Sequence, residues 1–392
     1  METNGPLAGY RIVEFEGKGP APLCGMLLGD MGADVIRIER PSASSDVSAT
    51  EQSFSILHRN RRTIALDLRQ PEARAAALRL VVSADALIEG FRPGVMERLG
   101  LGPEPCLAQQ PRLVYGRVTG WGQTGPLAAR AGHDINYLGL SGALAAIGPR
   151  DGAPLPPLNL VADYGGGAMF LAFGLVCALL EARSSGRGQV VDVAMSDAVA
   201  ALMTAIHGLH HGGRWNERRG SNLLDGGAPF YGAYATRDGG HMAVGPIEAP
   251  FFAEFVERLG LRVDGLPDRM DPKGWPAWQE RIAAVFSTRT RAEWEAVFDA
   301  SDACVTPILS LSEVPRHPHH AARGTYVPFG GVTQAAPAPR FSRTPGRLRS
   351  GPPQGGEHGR ELLAECGYSN ADIDALAASG AFRQAPTLHG AP

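Results

Sequence analysis

Short apolar runs, each bounded by glycine- or proline-rich turns, dominate the first half of the chain. Residues 10–15, 33–38, 63–68, 86–89, 113–119 and 189–193 read as strands, because they are brief, rich in Val, Ile and Leu, and flanked by breakers. Between them the period changes. Residues 20–31 read as a helix with proline near its start. Residues 72–82 read as an amphipathic helix with Ala76 and Leu80 turned inward. Strand, helix and strand in that order form a βαβ unit, which argues for a parallel sheet. A helix opens near Asp134, a long apolar helix covers 168–180, and another covers 196–209. In the second half, 232–236 and 241–244 flank Arg237-Asp238-Gly239-Gly240, a hairpin signal. Residues 249–259, 275–286 and 291–298 read as helices, 303–308 as a strand and 310–316 as a short helix. Residues 335–356 are rich in Pro, Arg and Gly, so they are expected to be extended and solvated. Helices follow over 356–365 and 370–378. No internal repeat is visible.

This pattern predicts an α/β protein: a large Rossmann-like domain with a parallel sheet, plus a smaller α+β domain. The expected division is 1–195 for the first part of the large domain and 196–224 for a linker. The small domain then takes 225–320, and 321–392 is a return linker with C-terminal helices that complete the large domain. A length of 392 residues fits that scheme. The net charge of −3 shows no dominant sign, so nothing points to wholesale nucleic-acid binding. Five scattered cysteines (Cys24, Cys106, Cys177, Cys304 and Cys366) have no metal or redox spacing and fit a reducing, cytoplasmic setting. The N-terminus lacks a secretory pattern. The apolar run 168–180 is shorter than the roughly 20 residues a bilayer needs, so no membrane span is expected. The chain ends His-Gly-Ala-Pro, which is not a peroxisomal address. His317, His319 and His320 raise the question of a metal. No Cys or carboxylate falls at ligand spacing and Pro318 breaks any helix there, so a solvated turn and no metal are expected.

The chemistry concentrates in Gly132-His133-Asp134-Ile135-Asn136-Tyr137 and, further on, Asp163-Tyr164-Gly165-Gly166-Gly167. Asp134 is expected to cap the helix it opens, and His133 then stands at the positive helix end, a location that favours the neutral imidazole. Asp163 stands at the start of the next helix, beside three glycines that would let a ligand approach the backbone. A His and an Asp so placed can serve as an acid/base pair around a developing anion. Each, taken singly, also reads as an ordinary cap. Near the N-terminus, Gly17-Lys18-Gly19-Pro20-Ala21-Pro22 starts like a dinucleotide fingerprint, but Pro22 stands where the third glycine belongs, so a tight strand-to-helix turn is the preferred reading. Arg59-Asn60-Arg61-Arg62 is a basic cluster beside a strand. It reads as a solvated face whose guanidinium groups also suit phosphates. Arg40, the stretch Ala65-Leu66-Asp67-Leu68 and Gly90-Phe91-Arg92 fall at strand ends, where open parallel sheets bind nucleotide-like ligands.

The Gly-His-Asp-Ile-Asn-Tyr string, with Pro156-Pro157-Leu158-Asn159-Leu160-Val161-Ala162-Asp163, Leu224-Asp225-Gly226-Gly227-Ala228-Pro229-Phe230-Tyr231 and Ala243-Val244-Gly245-Pro246-Ile247-Glu248, resembles the α-methylacyl-CoA racemases. These belong to the family III CoA-transferases (the CaiB/BaiF superfamily), and the stretch 29–41 is typical of that wider family. The likeness runs from about Leu7 to Phe382. It implies an interlocked homodimer, with the active site between the large domain of one subunit and the small domain of the other. It implies that His133 and Asp163 are the acid/base pair, that Glu248 orients the histidine, and that Asp134 assists it or caps the helix. Coenzyme A contacts carry over to Arg40, Ala65, Leu66, Asp67, Leu68, Gly132, Asn136 and Tyr137, and more weakly to Gly90, Phe91, Arg92 and Arg98.

A thioester acidifies its α-carbon, because the enolate spreads charge onto oxygen. Two groups on opposite faces can remove and return that proton, one as base and one as acid. With ordinary values of about 6.5 for imidazole and 3.9 for aspartate, a shift toward the middle is expected of the pair, and partial burial would raise Asp163. The resemblance therefore implies a racemase of 2-methylacyl-CoA thioesters. Coenzyme A enters with the substrate, and no separate cofactor is needed. Two other readings stay open. In a CoA-transferase the same Asp163 is a nucleophile. In an acyl-CoA-binding protein His133, Asp163 and Glu248 are only structural. Glu16, Lys18 and Ala249-Pro250 depart from relatives, and Lys18 is expected to be exposed. Met169 and Met203 suit either core packing or an adaptable acyl lining, and core packing is preferred.

Overall fold

The strand β1 (Arg11–Phe15) stands at the middle of a parallel sheet with β2 (Asp34–Glu39), β3 (Arg61–Leu66), β4 (Ala86–Glu89), β5 (Val114–Thr119) and β6 (Val190–Ala194). The order is β3-β2-β1-β4-β5-β6, and a two-residue strand, Phe382–Arg383, adds antiparallel to β3 as the seventh. The strand order reverses between β1 and β4. That is the point where open α/β sheets leave a crevice at their carboxyl ends. A computed structural model supplies these coordinates and describes residues 5–41 and 55–384. The C-terminal tetrapeptide lies outside the described residues.

Two compact units are present. The first holds Met1–Leu138, Asn159–Ala201 and Gly324–Pro392, and the second holds Gly139–Leu158 and Leu202–Arg323. Residues 139–158, expected with the large domain, cluster with the second unit. The helix expected over 196–209, at the start of the expected linker, is two: Met195–Leu202 and Thr204–His211. Beyond them the Asp225 carboxylate gathers the N–H groups of Gly220, Asn222 and Gly227 into a tied loop.

β4 and β5 are buried along their whole length, as strands covered on both faces are. Both carry charges that the apolar pattern hid. Glu89 and Arg117 pair at 2.7 Å, and Arg117 also meets Glu97 at 2.8 Å. Glu14 on β1 pairs with Arg61 on β3 at 2.7 Å, with both side chains at 0% exposure. The basic cluster is thus mostly committed to carboxylates. Arg59 forks onto Asp30, and Arg62 meets Asp34, Glu361 and Glu365. The expectation that this cluster is solvated and open to phosphate is corrected: its guanidinium groups staple strands and chain ends together.

Residues 160–185 form one helical rod, a π-helical stretch Leu160–Ala168 followed by the α-helix Met169–Ser185. At 26 residues the rod is long and apolar enough, by length and composition alone, to cross a membrane. Helical structure thus extends beyond the apolar run 168–180 at both ends. In this unit Leu171 and Leu175 are fully buried and meet Gly116 of β5, as in a soluble core helix.

The return segment is extended, as expected, but it is not merely solvated. A hairpin of Tyr326–Phe329 and Val332–Ala335 precedes it. Arg349 donates to the carbonyls of Gly29, Gly32 and Ala33, and Asn60 holds Arg347, Arg349 and Ser350. The helices Gly359–Glu365 and Asn370–Ala378 then close the core around Leu362, Ile373 and Phe382.

The second unit holds the antiparallel sheet β7 (Gly232–Ala235), β8 (His241–Val244) and β9 (Val305–Pro307). The helices Ala249–Leu259, Trp275–Phe286 and Arg291–Phe298 contribute Phe255, Phe286, Trp294 and Phe298 to its aromatic core. Thr290 and Glu293 form a reciprocal capping box at the start of the third helix. Pro318 begins a short helix, Pro318–Arg323, and does not break one, because proline at the first helical position loses no hydrogen bond. The 310–316 segment is helical only over Val314–Arg316.

Candidate active site

Two loops flank the carboxyl ends of β1 and β4. After β4, the Glu89 carboxylate accepts the Phe91 N–H at 2.7 Å, and this fixes the turn Gly90-Phe91-Arg92. Burial raises the Glu89 carboxyl above the usual range, while Arg117 and the Phe91 N–H pull it down. After β1, Gly19 adopts φ 71°, ψ −122° ahead of the helix Pro20–Asp30. An L side chain rarely adopts that conformation. The Asp163 carboxylate lies directly over Gly19, with Oδ2 3.4 Å from the point where a Cβ would stand. Lys18 is exposed, as expected.

β5 leads through Gly120 and Trp121 to His133. Tyr137 stacks edge-on against Trp121 with ring centroids 4.8 Å apart. Tyr137 is 5% exposed, and its ring fills the space a Cβ on Gly120 or Gly132 would need. Those two glycines are therefore packing requirements of Tyr137. Burial, then Asp163 and Asp134, raise the Tyr137 phenol, and Arg92 opposes them.

His133 is exposed and occupies the capping position of the helix Asp134–Leu140. Its carbonyl accepts the Asn136 N–H at 2.8 Å, and its own N–H donates to Asn136 Oδ1 at 2.9 Å. That reciprocal pair caps the helix. The expectation that Asp134 caps it is corrected. Asp134 Oδ2 instead accepts the N–H groups of Ala162 and Asp163, at 2.9 and 2.8 Å. The first helix thereby grips the second by the backbone of the acid itself.

Asp163 sits in the first turn of the π-helical stretch, half-buried. Burial first, and the neighbouring Asp134 charge next, push its carboxyl above the ordinary range, while Asn159 and His133 lower it. Asn159 Nδ2 reaches Asp163 Oδ2 at 3.5 Å, a long contact. Sequence reasoning gave Asn159 no role. Its place one helical turn before Asp163 was the available signal. Glu89 and Arg117 were missed too, and nothing in the apolar pattern marks them.

Two of the three glycines after Asp163 are taken up by packing and do not open the backbone to a ligand. Gly166 packs on Ala198 and Val199, and a Cβ on Gly167 would stand 2.6 Å from Pro20. Glu248 lies in the second unit and is exposed at the cap of the helix Ala249–Leu259, so Ala249-Pro250 forms the helix start. Met169 is 52% exposed, so the preferred reading of it as core packing is corrected.

The remaining candidates are spread along strand ends of the first unit. Arg40, Arg92 and Arg98 are exposed, and Phe91 is half-buried. The Arg40 N–H donates to Glu16 at 2.8 Å. Ala65 and Leu66 are buried and pair with the final strand, so Asp67 and Leu68 offer the accessible surface of that stretch. Asp67 is engaged by Arg69 at 2.8 Å, which holds its carboxyl well below the usual range. A cavity of about 600 Å³ opens elsewhere, at the amino ends of the strands, lined by Arg11, Asp34, Arg62 and Arg349. Arg11 and Arg62 there are neutralised by Asp34 and Glu365, and His133, Asp134 and Asp163 are not part of its lining. Among the described residues no three His, Cys, Asp or Glu gather as metal ligands.

Residues 7–359 match CoA-transferase family III. The chain belongs to this family. Mouse α-methylacyl-CoA racemase is 44% identical over 369 residues, covering 94% of this chain and 95% of its own. The human α-methylacyl-CoA racemase is 43% identical over the same span, with the same coverage. A CaiB/BaiF family protein from Brucella suis has a similar structure, with TM-score 0.80 and 26% identity over 93% of this chain and 100% of that one. The mixed α/β fold with its mainly parallel sheet thus has CaiB/BaiF structural neighbours.

Proposed function

We propose that the chain is an α-methylacyl-CoA racemase, interconverting (R)- and (S)-2-methylacyl-CoA thioesters through an enolate. The observation that carries this reading is the His133–Asp163 cluster. Two groups able to exchange protons start neighbouring helical segments, joined by Asp134 and close enough for the His133 charge to act on Asp163. The likeness to the mouse and human racemases supports it.

In one direction Asp163 takes the α-proton, the C–H electron pair moves into the carbonyl to give the enolate, and His133 returns a proton to the opposite face. In the other direction the roles exchange. Backbone N–H groups at the start of Asp134–Leu140 face the enolate oxygen. Removing such a donor typically costs about 2.7–4 kcal/mol. Glu248 orients the imidazole from a second subunit, in an interlocked homodimer. Exposed Met169, Phe173 and Leu180 on the long rod support self-association. Coenzyme A enters with the substrate along Arg40, Asp67-Leu68 and Gly90-Phe91-Arg92, and no separate cofactor takes part.

The test uses one enantiomer of a 2-methylacyl-CoA in deuterated water, with no acceptor acid. The expected result is α-deuterium incorporation with approach to equal enantiomers, suppressed about 100-fold or more in His133→Ala and in Asp163→Ala. The second reading, CoA transfer, follows from the family's name. In it the Asp163 carboxylate displaces the CoA thiolate to form an anhydride, and the thiolate then attacks the aspartyl carbonyl, releasing the donor carboxylate and leaving an aspartyl thioester. No exchange, together with CoA moving to an added carboxylate, would establish transfer and overturn racemisation.

A further inference from the structure

Asp134 is 7% exposed and sits on a different element from Asp163. One of its oxygens holds two consecutive N–H groups, those of Ala162 and Asp163. The other, Oδ1, is buried without a hydrogen-bond partner among the described residues. A carboxylate used only as a brace has no need of its charge, since an uncharged amide oxygen accepts the same bonds. Leaving a buried oxygen unpaired is costly, and it persists where something else depends on it. Asp163 and Tyr137 both lie close enough to feel this charge, and Asp163 is the one proposed to exchange protons.

We propose that Asp134 is the positioning residue of Asp163, fixing the backbone from which that carboxylate projects and placing a second negative charge beside it. The anchoring acts through geometry. With both N–H groups held, the first turn of Leu160–Ala168 has one place to stand, and the Asp163 carboxylate stays over Gly19. The charge acts through space. Two carboxylates in one cluster disfavour the ionised form of the more responsive member, so Asp163 more readily holds the proton it must return. The other groups facing Asp163 are His133, the amide of Asn159 and the phenol of Tyr137, with Arg92 opposing at Tyr137. Burial of Asp163 contributes in the same sense as Asp134.

The inference rests on the racemase reading for its kinetic arm and is independent of it in its stability arm. Asp134→Asn keeps an oxygen for the two N–H groups and removes the charge. Asp134→Ala removes both. In the kinetic arm, the acid limb of the kcat/KM profile for deuterium exchange moves to lower pH in Asp134→Asn. Asp134→Ala loses about 100-fold in kcat through misplacement of Asp163. In the stability arm, melting temperatures of wild type, Asp163→Asn, Asp134→Asn and the double variant are compared at neutral pH. Asp163→Asn raises the melting temperature in the wild-type background and raises it less when Asp134 is already Asn. An equal rise in both backgrounds shows that the Asp134 charge does not reach Asp163, and overturns the proposal even if no thioester tried is a substrate. Should wild type show no exchange while the two rises differ, the racemase reading fails and the Asp134–Asp163 relationship stands.

Discussion

The Asp163 carboxylate rests on Gly19, Oδ2 standing 3.4 Å from the position a Cβ would take. The space is sufficient for a methyl group in ordinary contact. The backbone is what forbids it, since Gly19 has φ 71° with ψ −122°. Gly19→Ala is therefore expected to cost about 1–3 kcal/mol through backbone strain and to lower exchange activity as the loop under Asp163 relaxes. Chemical denaturation with the exchange assay reads both. A variant with wild-type stability and rate would show that this loop is not a rigid floor under Asp163.

The raised Asp163 carboxyl makes a prediction about pH. Its folded value lies above the ordinary aspartate value of about 3.9. A group shifted this way favours folding below its unfolded value, and that contribution is lost as pH rises through the folded value. Asp163→Asn should thus stabilise the protein at neutral pH, and the gain should vanish as pH falls below about 4. Melting temperatures of the two proteins across that window decide it. A destabilised variant at neutral pH would mean that the carboxylate is held by favourable partners and not disfavoured by burial.

The basic run Arg59-Asn60-Arg61-Arg62 invites a phosphate, and the structure gives it other work. Arg61 and Glu14 pair at 2.7 Å with no exposure of either side chain. Replacing one partner leaves the other charge buried and alone, at a cost of about 3–5 kcal/mol. Arg61→Ala should accordingly lower the melting temperature strongly or prevent folding. Arg40→Ala, at an exposed position, should leave stability unchanged and raise KM for the thioester. A selective rise in KM for a stable Arg61→Ala protein would return that arginine to the ligand.

This contrast shows which features could be read from the chain. The parallel sheet was legible because each of its first six strands is a local apolar run between breakers. The helices Trp275–Phe286 and Arg291–Phe298 were legible from their own local pattern. The arginine partners were not, since Asp30, Glu14 and Asp34 stand 29, 47 and 28 residues from Arg59, Arg61 and Arg62. Asp134 was legible as an acid at a helix start. That its carboxylate serves Ala162 and Asp163 across about a full loop of chain depends on tertiary placement, and no local signal carries it. The final strand Phe382–Arg383 is too short to leave a pattern.

The glycines after Asp163 support the last prediction. They read as an opening for a ligand, but Gly167 is where the π-helical stretch crosses the start of Pro20–Asp30. A Cβ there would stand 2.6 Å from Pro20 Cβ and 3.1 Å from Met195 Cγ. The proline ring cannot swing aside, so the two elements must part. Parting them moves Asp163 relative to Gly19, because the acid lies one turn earlier on the same stretch. Gly167→Ala is expected to cost about 1–3 kcal/mol from overpacking. It should also reduce kcat more than it changes KM, since Asp163 shifts while the strand-end positions proposed for coenzyme A do not. Steady-state kinetics with a denaturation curve tests this. If Gly167→Ala raised KM alone, the glycine would be meeting the ligand after all.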